Sequence, residues 1–150
     1  MNFARSSGQS CGSTSRLLLH ESIADEVLDH VMRRMAAIRV GSPLDPATEM
    51  GTMASRAQYD RTLAYIGVAT GESAQVLAGG GRPAGLEHER GLFVAPTLLG
   101  GVRPDMRIAR EEAAGSPSSA PAAGPCCLLA PPLSRSTSTR TAWAGPMCRT

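Results

Sequence analysis

An α/β fold with a disordered C-terminal tail is what this sequence predicts, from three observations. Short apolar runs are interleaved with two segments in which apolar residues return every three or four positions. Glycine and proline fall at the junctions between them. All 13 acidic residues lie before residue 113, and the remaining 113–150 segment is compositionally a different kind of chain.

Each element has its own signal. Residues 16–20, Arg-Leu-Leu-Leu-His, form a short apolar run that predicts a buried strand. Ser22-Ile23-Ala24-Asp25 resembles a capping box, and Ile23, Val27, Val31, Met35 and Ile38 recur at helical spacing. The pattern predicts a helix over 22–38, supported by an Asp29/Arg33 pair at i,i+4 and ended by Gly41 and Pro43. A second helix is expected to start from Ser55 and Gln58 as a capping pair, to place Tyr59, Leu63 and Ile66 on one face, and to close at Gly67 or Gly71. Residues 74–78 read as a strand entering the turn Gly79-Gly80-Gly81-Arg82-Pro83. Residues 93–99 read as extended, with Pro96 arguing against a central place in a sheet. No internal repeat is visible.

A chain of 150 residues has room for one modest domain. A net charge of +2 gives no reason to invoke nucleic acid or a membrane surface as partner. No apolar run approaches the roughly 20 residues of a membrane span, and the N-terminus does not resemble a signal peptide. There is no lysine, and only 3% of residues are aromatic, a small supply of large core side chains. Of four cysteines, Cys11 stands alone, while Cys126, Cys127 and Cys148 lie in the tail. Their spacing is not that of a zinc site, so no metal is expected, and nothing indicates export, so the expected location is the cytoplasm.

The segment 113–150 contains no Asp, Glu, Asn, Gln, His, Val, Ile, Phe or Tyr. Little of it can bury enough surface to offset an ordering entropy of about 1–2 kcal/mol per residue, so it is expected to be disordered or poorly packed. The division is therefore 1–112 and 113–150, the second a low-complexity Ala/Pro/Ser tail.

Cys11 is the residue whose surroundings best suit chemistry. Gly8-Gln9-Ser10 precede it and Gly12-Ser13-Thr14-Ser15 come after it. Small neighbours leave the sulfur reachable and offer main-chain N–H groups to a substrate oxygen, as a nucleophilic thiol requires. The run from Gly8 to Leu28 closely resembles the nucleophile segment of the NAD(P)-dependent aldehyde dehydrogenase superfamily. Further landmarks appear in the family's order: Arg39-Val40-Gly41-Ser42-Pro43-Leu44-Asp45-Pro46, with Ser42 where aspartate is usual, Glu49-Met50-Gly51-Thr52-Met53, Ala78-Gly79-Gly80, Gly91-Leu92-Phe93-Val94-Ala95-Pro96-Thr97-Leu98, and Met106-Arg107-Ile108-Ala109-Arg110-Glu111-Glu112. The resemblance covers residues 2–112. After Glu112 the family continues hydrophobic–Phe–Gly–Pro–Val, whereas this chain reads Ala113-Ala114-Gly115-Ser116-Pro117.

The resemblance implies a partial catalytic domain of the aldehyde dehydrogenase fold. It implies oxidation of an aldehyde to an acid with NAD or NADP through a cysteine thiohemiacetal and thioester. By position, Cys11 is the catalytic nucleophile and Glu112 the residue that contacts the cofactor's nicotinamide ribose. The small-molecule partner is an aldehyde, and family members are homo-oligomers. The family's dinucleotide-binding half, its oxyanion-binding asparagine and its general-base glutamate lie upstream of the nucleophile, before residue 1, so this chain alone is expected to be inactive. Reading the codons around Trp143 from their third bases permits Tyr-Gly-Leu-Gly, similar to a later family landmark, so a frameshifted tail and a true low-complexity linker both stay open.

Other features read as structural. His20-Glu21 is expected to be an ordinary surface pair, Glu111-Glu112 outside the family context a solvated acidic pair, and Gly79-Gly80-Gly81 a turn, because no helix with a G-K-[ST] start comes after it. Ile23, Val27 and Val31 are expected to be a core stripe. The alternative of a different class is a non-catalytic binding or interaction module that reuses the fold fragment.

Overall fold

The computed structural model describes residues 2–10, 13, 15–85, 90–111 and 126–129. Four strands and three helices organise them: β1 (Arg16–Leu17), α1 (Ala24–Ala36), α2 (Arg56–Gly71), β2 (Gln75–Ala78), β3 (Thr97–Gly100), α3 (Arg107–Arg110) and β4 (Cys126–Leu129). The sheet order is β1-β4-β3-β2, with β2 antiparallel to β3 and the other two pairs parallel.

β3 is the centre of the packing. All four of its residues are buried, and its successive side chains go to opposite faces, as a pleated strand requires. Leu98 joins Met35, Ile38 and Met50 on the α1 side. Leu99 joins Ala69, Val102, Met106 and Ile108 on the side of α2 and α3. Helices thus cover both faces, giving three layers. A third cluster, Met53, Tyr59 and Val94, seats the start of α2 on the loop before β3.

Pro96 does not keep β3 from this central place. It stands one residue before the first ladder residue, Thr97, so its missing N–H costs the sheet no hydrogen bond. The tail also differs from expectation at residues 126–129, which form β4 between β1 and β3 instead of remaining disordered. Leu128 aligns with Arg16 on one side and Leu99 on the other. The backbone groups of two flanking strands offer that segment a ladder whatever its composition. The predicted strand over 16–20 is shorter than expected. Only Arg16–Leu17 pair in the sheet, Leu18 is 62% exposed, and Leu19 is 7% exposed.

The helices agree closely with the periodicity. α1 fills most of 22–38, but its entry is a single 3-10 turn, Glu21–Ile23, capped by the His20 ring and not by a Ser22 capping box. Arg33 reaches His30 Nδ1 at 3.3 Å in place of the expected Asp29. α2 starts from Ser55, whose Oγ accepts the Gln58 N–H at 3.3 Å, and runs to Gly71. Ser73 then turns the chain at φ +75° into β2.

Within α2, Thr62 is completely buried and its Oγ1 has no hydrogen-bond partner among the described residues. A buried hydroxyl without a partner costs about 1–3 kcal/mol relative to one that is satisfied. Thr62→Val keeps the shape and removes the polar atom, so it should stabilise the chain by about 1 kcal/mol in denaturant unfolding. An equal or lower unfolding midpoint would show that this hydroxyl is satisfied.

Candidate functional site

Cys11 and Glu112, the two residues to which the sequence assigns chemistry, lie outside the described residues, as do Cys148 and most of the tail. Ser10 and Ser13 on either side of Cys11 and the residues before Glu112 are described, and they are tied down by hydrogen bonds.

The approach to Cys11 is left-handed. Ser6, Ser7 and Gly8 have φ values of +54°, +52° and +72° at the end of the 3-10 segment Asn2–Gly8. Glycine adopts this conformation freely, whereas each serine is disfavoured there by about 1–2 kcal/mol. Hydrogen bonds to residues 51–54 offset that strain. Ser7, 2% exposed, directs its hydroxyl at the carbonyls of Gly51 and Thr52, at 2.9 and 3.2 Å. Gln9 works at both ends: its backbone N–H and its Nε2 each donate to the Ser6 carbonyl at 3.0 Å, and its Oε1 accepts the Ala54 N–H at 2.9 Å. The 51–54 segment is itself fixed, because Met53 is buried and its N–H donates to the Leu92 carbonyl at 2.9 Å.

On the far side, the Ser13 N–H donates to the Ser10 carbonyl at 2.9 Å, joining the residues on either side of the pair 11–12. Ser13 Oγ is buried with no hydrogen-bond partner among the described residues. Arg16, the first residue of β1, sends Nη2 to the carbonyl of Ala109 at 2.9 Å. That bond links the strand after Cys11 to the helix that leads to Glu112.

α3 is a short helix held from outside. Glu72 accepts the Arg107 N–H at 2.8 Å at its start. Arg107 pairs with Glu111 through two bonds of 3.0 Å, and Tyr65 OH donates to the same carboxylate at 2.6 Å. The Arg107 bonds first, and the Tyr65 bond second, hold the Glu111 carboxyl down at about 2, while Glu111 in turn raises Arg107. Glu111 is therefore an anion at neutral pH with its oxygens in use. Glu111 is exposed to solvent, as expected, but is ion-paired with Arg107 instead of free, and Glu112 lies outside the described residues.

The remaining candidates behave as structure. His20 Nδ1 accepts the Ser22 N–H at 3.2 Å, and His20 and Glu21 are both exposed. Gly79 and Gly80 form a turn with φ +71° and +91°; a Cβ on Gly79 would meet the Pro96 carbonyl oxygen, and the Gly80 N–H donates to Thr97 Oγ1 at 3.0 Å. Packed against β3 in this way, the turn offers no cradle for a dinucleotide phosphate. A shallow depression lined by Glu26, Val27, His30, Val31 and Arg34 belongs to α1 alone and draws no polar group from another element. Val27 and Val31 are half-buried there and Ile23 is exposed, so the expected core stripe is complete only from Met35 onward. Among the described residues no three metal-binding side chains cluster, and no helix is long and apolar enough to cross a membrane.

Sequence reasoning did not find Gln9, Ser7 or Arg16 as site-forming residues. Their partners lie 45, 44 and 93 positions away, and such pairs leave no local pattern.

The Glu111 bonds give a pH prediction. Its carboxyl is depressed from 4.5 to about 2, so its contribution is complete above pH 4.5 and fades as pH falls through about 2. Glu111→Gln should lower the melting temperature at pH 7, and the two proteins should converge near pH 2. An unchanged difference across that range would contradict the assignment. Added salt should shrink the effect at pH 7, because the pair is exposed.

A model of the aldehyde dehydrogenase family matches residues 1–117. Aldehyde dehydrogenase tropH of Talaromyces stipitatus is 50% identical over 119 residues, covering 77% of this chain and 23% of its own length. Hydroxyisobutyraldehyde dehydrogenase of Mycolicibacterium austroafricanum is 47% identical over 113 residues, 75% of this chain and 22% of that protein. Among solved structures, apo betaine aldehyde dehydrogenase of Staphylococcus aureus, a point mutant with a BME-modified cysteine, superposes with a TM-score of 0.78 at 29% identity. It covers 88% of this chain and 25% of that one. The chain thus spans about a quarter of the length of the proteins it matches.

Proposed function

The chain belongs to the aldehyde dehydrogenase family, and on that premise we propose that it is the cysteine-bearing segment of an enzyme that oxidises an aldehyde to a carboxylic acid, with Cys11 as the nucleophile. The observation that carries this is the family match over residues 1–117, a span that includes both Cys11 and Glu112. The small-residue context of Cys11 and the fixed segments on either side of it agree with that role.

The chemistry assigned to this chain's own residues is brief. The Cys11 thiolate adds to the carbonyl carbon, forming a C–S bond and moving the carbonyl electron pair onto oxygen. Main-chain N–H groups beside the cysteine favour that oxyanion. NAD or NADP, if bound by the whole protein, would supply the two-electron acceptor for oxidation of the thiohemiacetal to a thioester. Water then adds to the thioester carbon, the C–S bond breaks, and the acid departs from a regenerated thiolate. The described residues form no dinucleotide cradle, so none of them is assigned a step with the cofactor. Glu112 is the residue proposed to contact the nicotinamide ribose. The modified cysteine of the Staphylococcus aureus relative supports a thiol in this family that small reagents reach.

Because the chain spans about a quarter of its relatives' length, the 150 residues alone are proposed not to turn over. Incubated with a panel of aldehydes and NAD or NADP, the chain should release no reduced cofactor, while aldehyde should protect Cys11 from iodoacetamide in peptide mass mapping. Turnover abolished by Cys11→Ala would refute the inactivity, and an aldehyde that leaves Cys11 alkylation unchanged would refute its role as nucleophile.

A further inference from the structure

The bonds around Gln9 do more than close a loop. Ser6 and Ser7 occupy a conformation that serine disfavours, and it leads straight into the residues before Cys11. The two ends of the Gln9 amide join that strained turn, through the Ser6 carbonyl, to the Ala54 N–H on a segment seated in the core. Ser7 attaches the same turn to Gly51 and Thr52 through a buried hydroxyl. Without these bonds the turn loses what offsets its strain, and its backbone can relax toward ordinary right-handed or extended conformations.

We infer that Gln9, with Ser7, is a positioning residue for the Cys11 nucleophile. The pair fixes residues 6–9, the backbone that enters the cysteine. Neither residue touches the reacting atoms. They act through the segment they hold, which rests on Cys11 being the nucleophile. Loss of the hold should raise the pH at which the thiol ionises, since a thiolate gains from ordered polar surroundings.

The test is peptide-resolved alkylation of Cys11 by iodoacetamide in the 150-residue chain, followed across pH. Wild type is compared with Gln9→Met, which keeps the length and loses every side-chain hydrogen bond, with Ser7→Ala, and with Ser55→Ala, which removes a helix cap elsewhere. The wild-type midpoint should lie below the ordinary thiol value of about 8.5. Gln9→Met and Ser7→Ala should move it upward and slow alkylation at pH 7 by about tenfold, and Ser55→Ala should leave it in place. A lowered wild-type midpoint that Gln9→Met does not move would overturn the positioning role alone. A wild-type midpoint at the ordinary value would overturn the nucleophile reading and this role with it. An equal shift in Ser55→Ala would reduce the effect to general stability and overturn the inference. Gln9 is only half-buried, so Gln9→Met decides the matter even if Ser7→Ala fails to fold.

Discussion

β3 is hydrogen-bonded along both edges and buried on both faces, and the layers on either side meet through it. Leu98 belongs to one core cluster and Leu99 to the other, so the packing of α1 and the packing of α2 with α3 meet at two consecutive residues. Its antiparallel partner β2 supplies the chain reversal, and the Gly79–Gly80 turn presses against Pro96 and Thr97 at the strand's entrance. A single strand buried this way leaves little freedom for either layer to shift.

The candidate site depends on that strand at one remove. The segment carrying Cys11 is tied on one side to residues 51–54, which rest on the Tyr59 and Val94 cluster just before β3. On the other side Arg16 is tied to Ala109, and Ile108 and Ala109 pack in the same cluster as Leu99. Glu111, bound to Arg107 and Tyr65, fixes the chain immediately before Glu112. The described residues next to Cys11 and before Glu112 are thus tied to segments that pack in the two clusters around α2. The individual bonds are modest, about 0.5–1.5 kcal/mol each. Their effect lies in the direction they impose on residues 6–10 and 107–111.

Much of this was legible in the sequence, and the reasons are physical. Both long helices announced themselves because one face had to be apolar, and Ser55 with Gln58 marked a start by the chemistry of a cap. The family was legible because its landmarks fall in order along residues 2–112, and the family model matches residues 1–117. Three things were hidden. Proline at position 96 looks incompatible with a central strand until its register is known, and a shift of one residue makes it harmless. β4 was concealed because composition measures how much a segment can bury, whereas a ladder between two waiting strands needs only backbone. The Gln9–Ala54 and Arg16–Ala109 bonds use a backbone partner at the far end, so no residue type at positions 54 or 109 signals them.

The sheet turns on β4, since β1, with the Cys11 segment before it, meets the rest of the sheet through β4. Hydrogen exchange measured by peptide mass spectrometry, on the whole chain and on one ending at residue 125, tests it most directly. Removing β4 should strip protection from the peptide holding Arg16 and Leu17 while the β2–β3 pair keeps much of its own. Equal protection of that peptide in both chains would contradict the sheet order β1-β4-β3-β2.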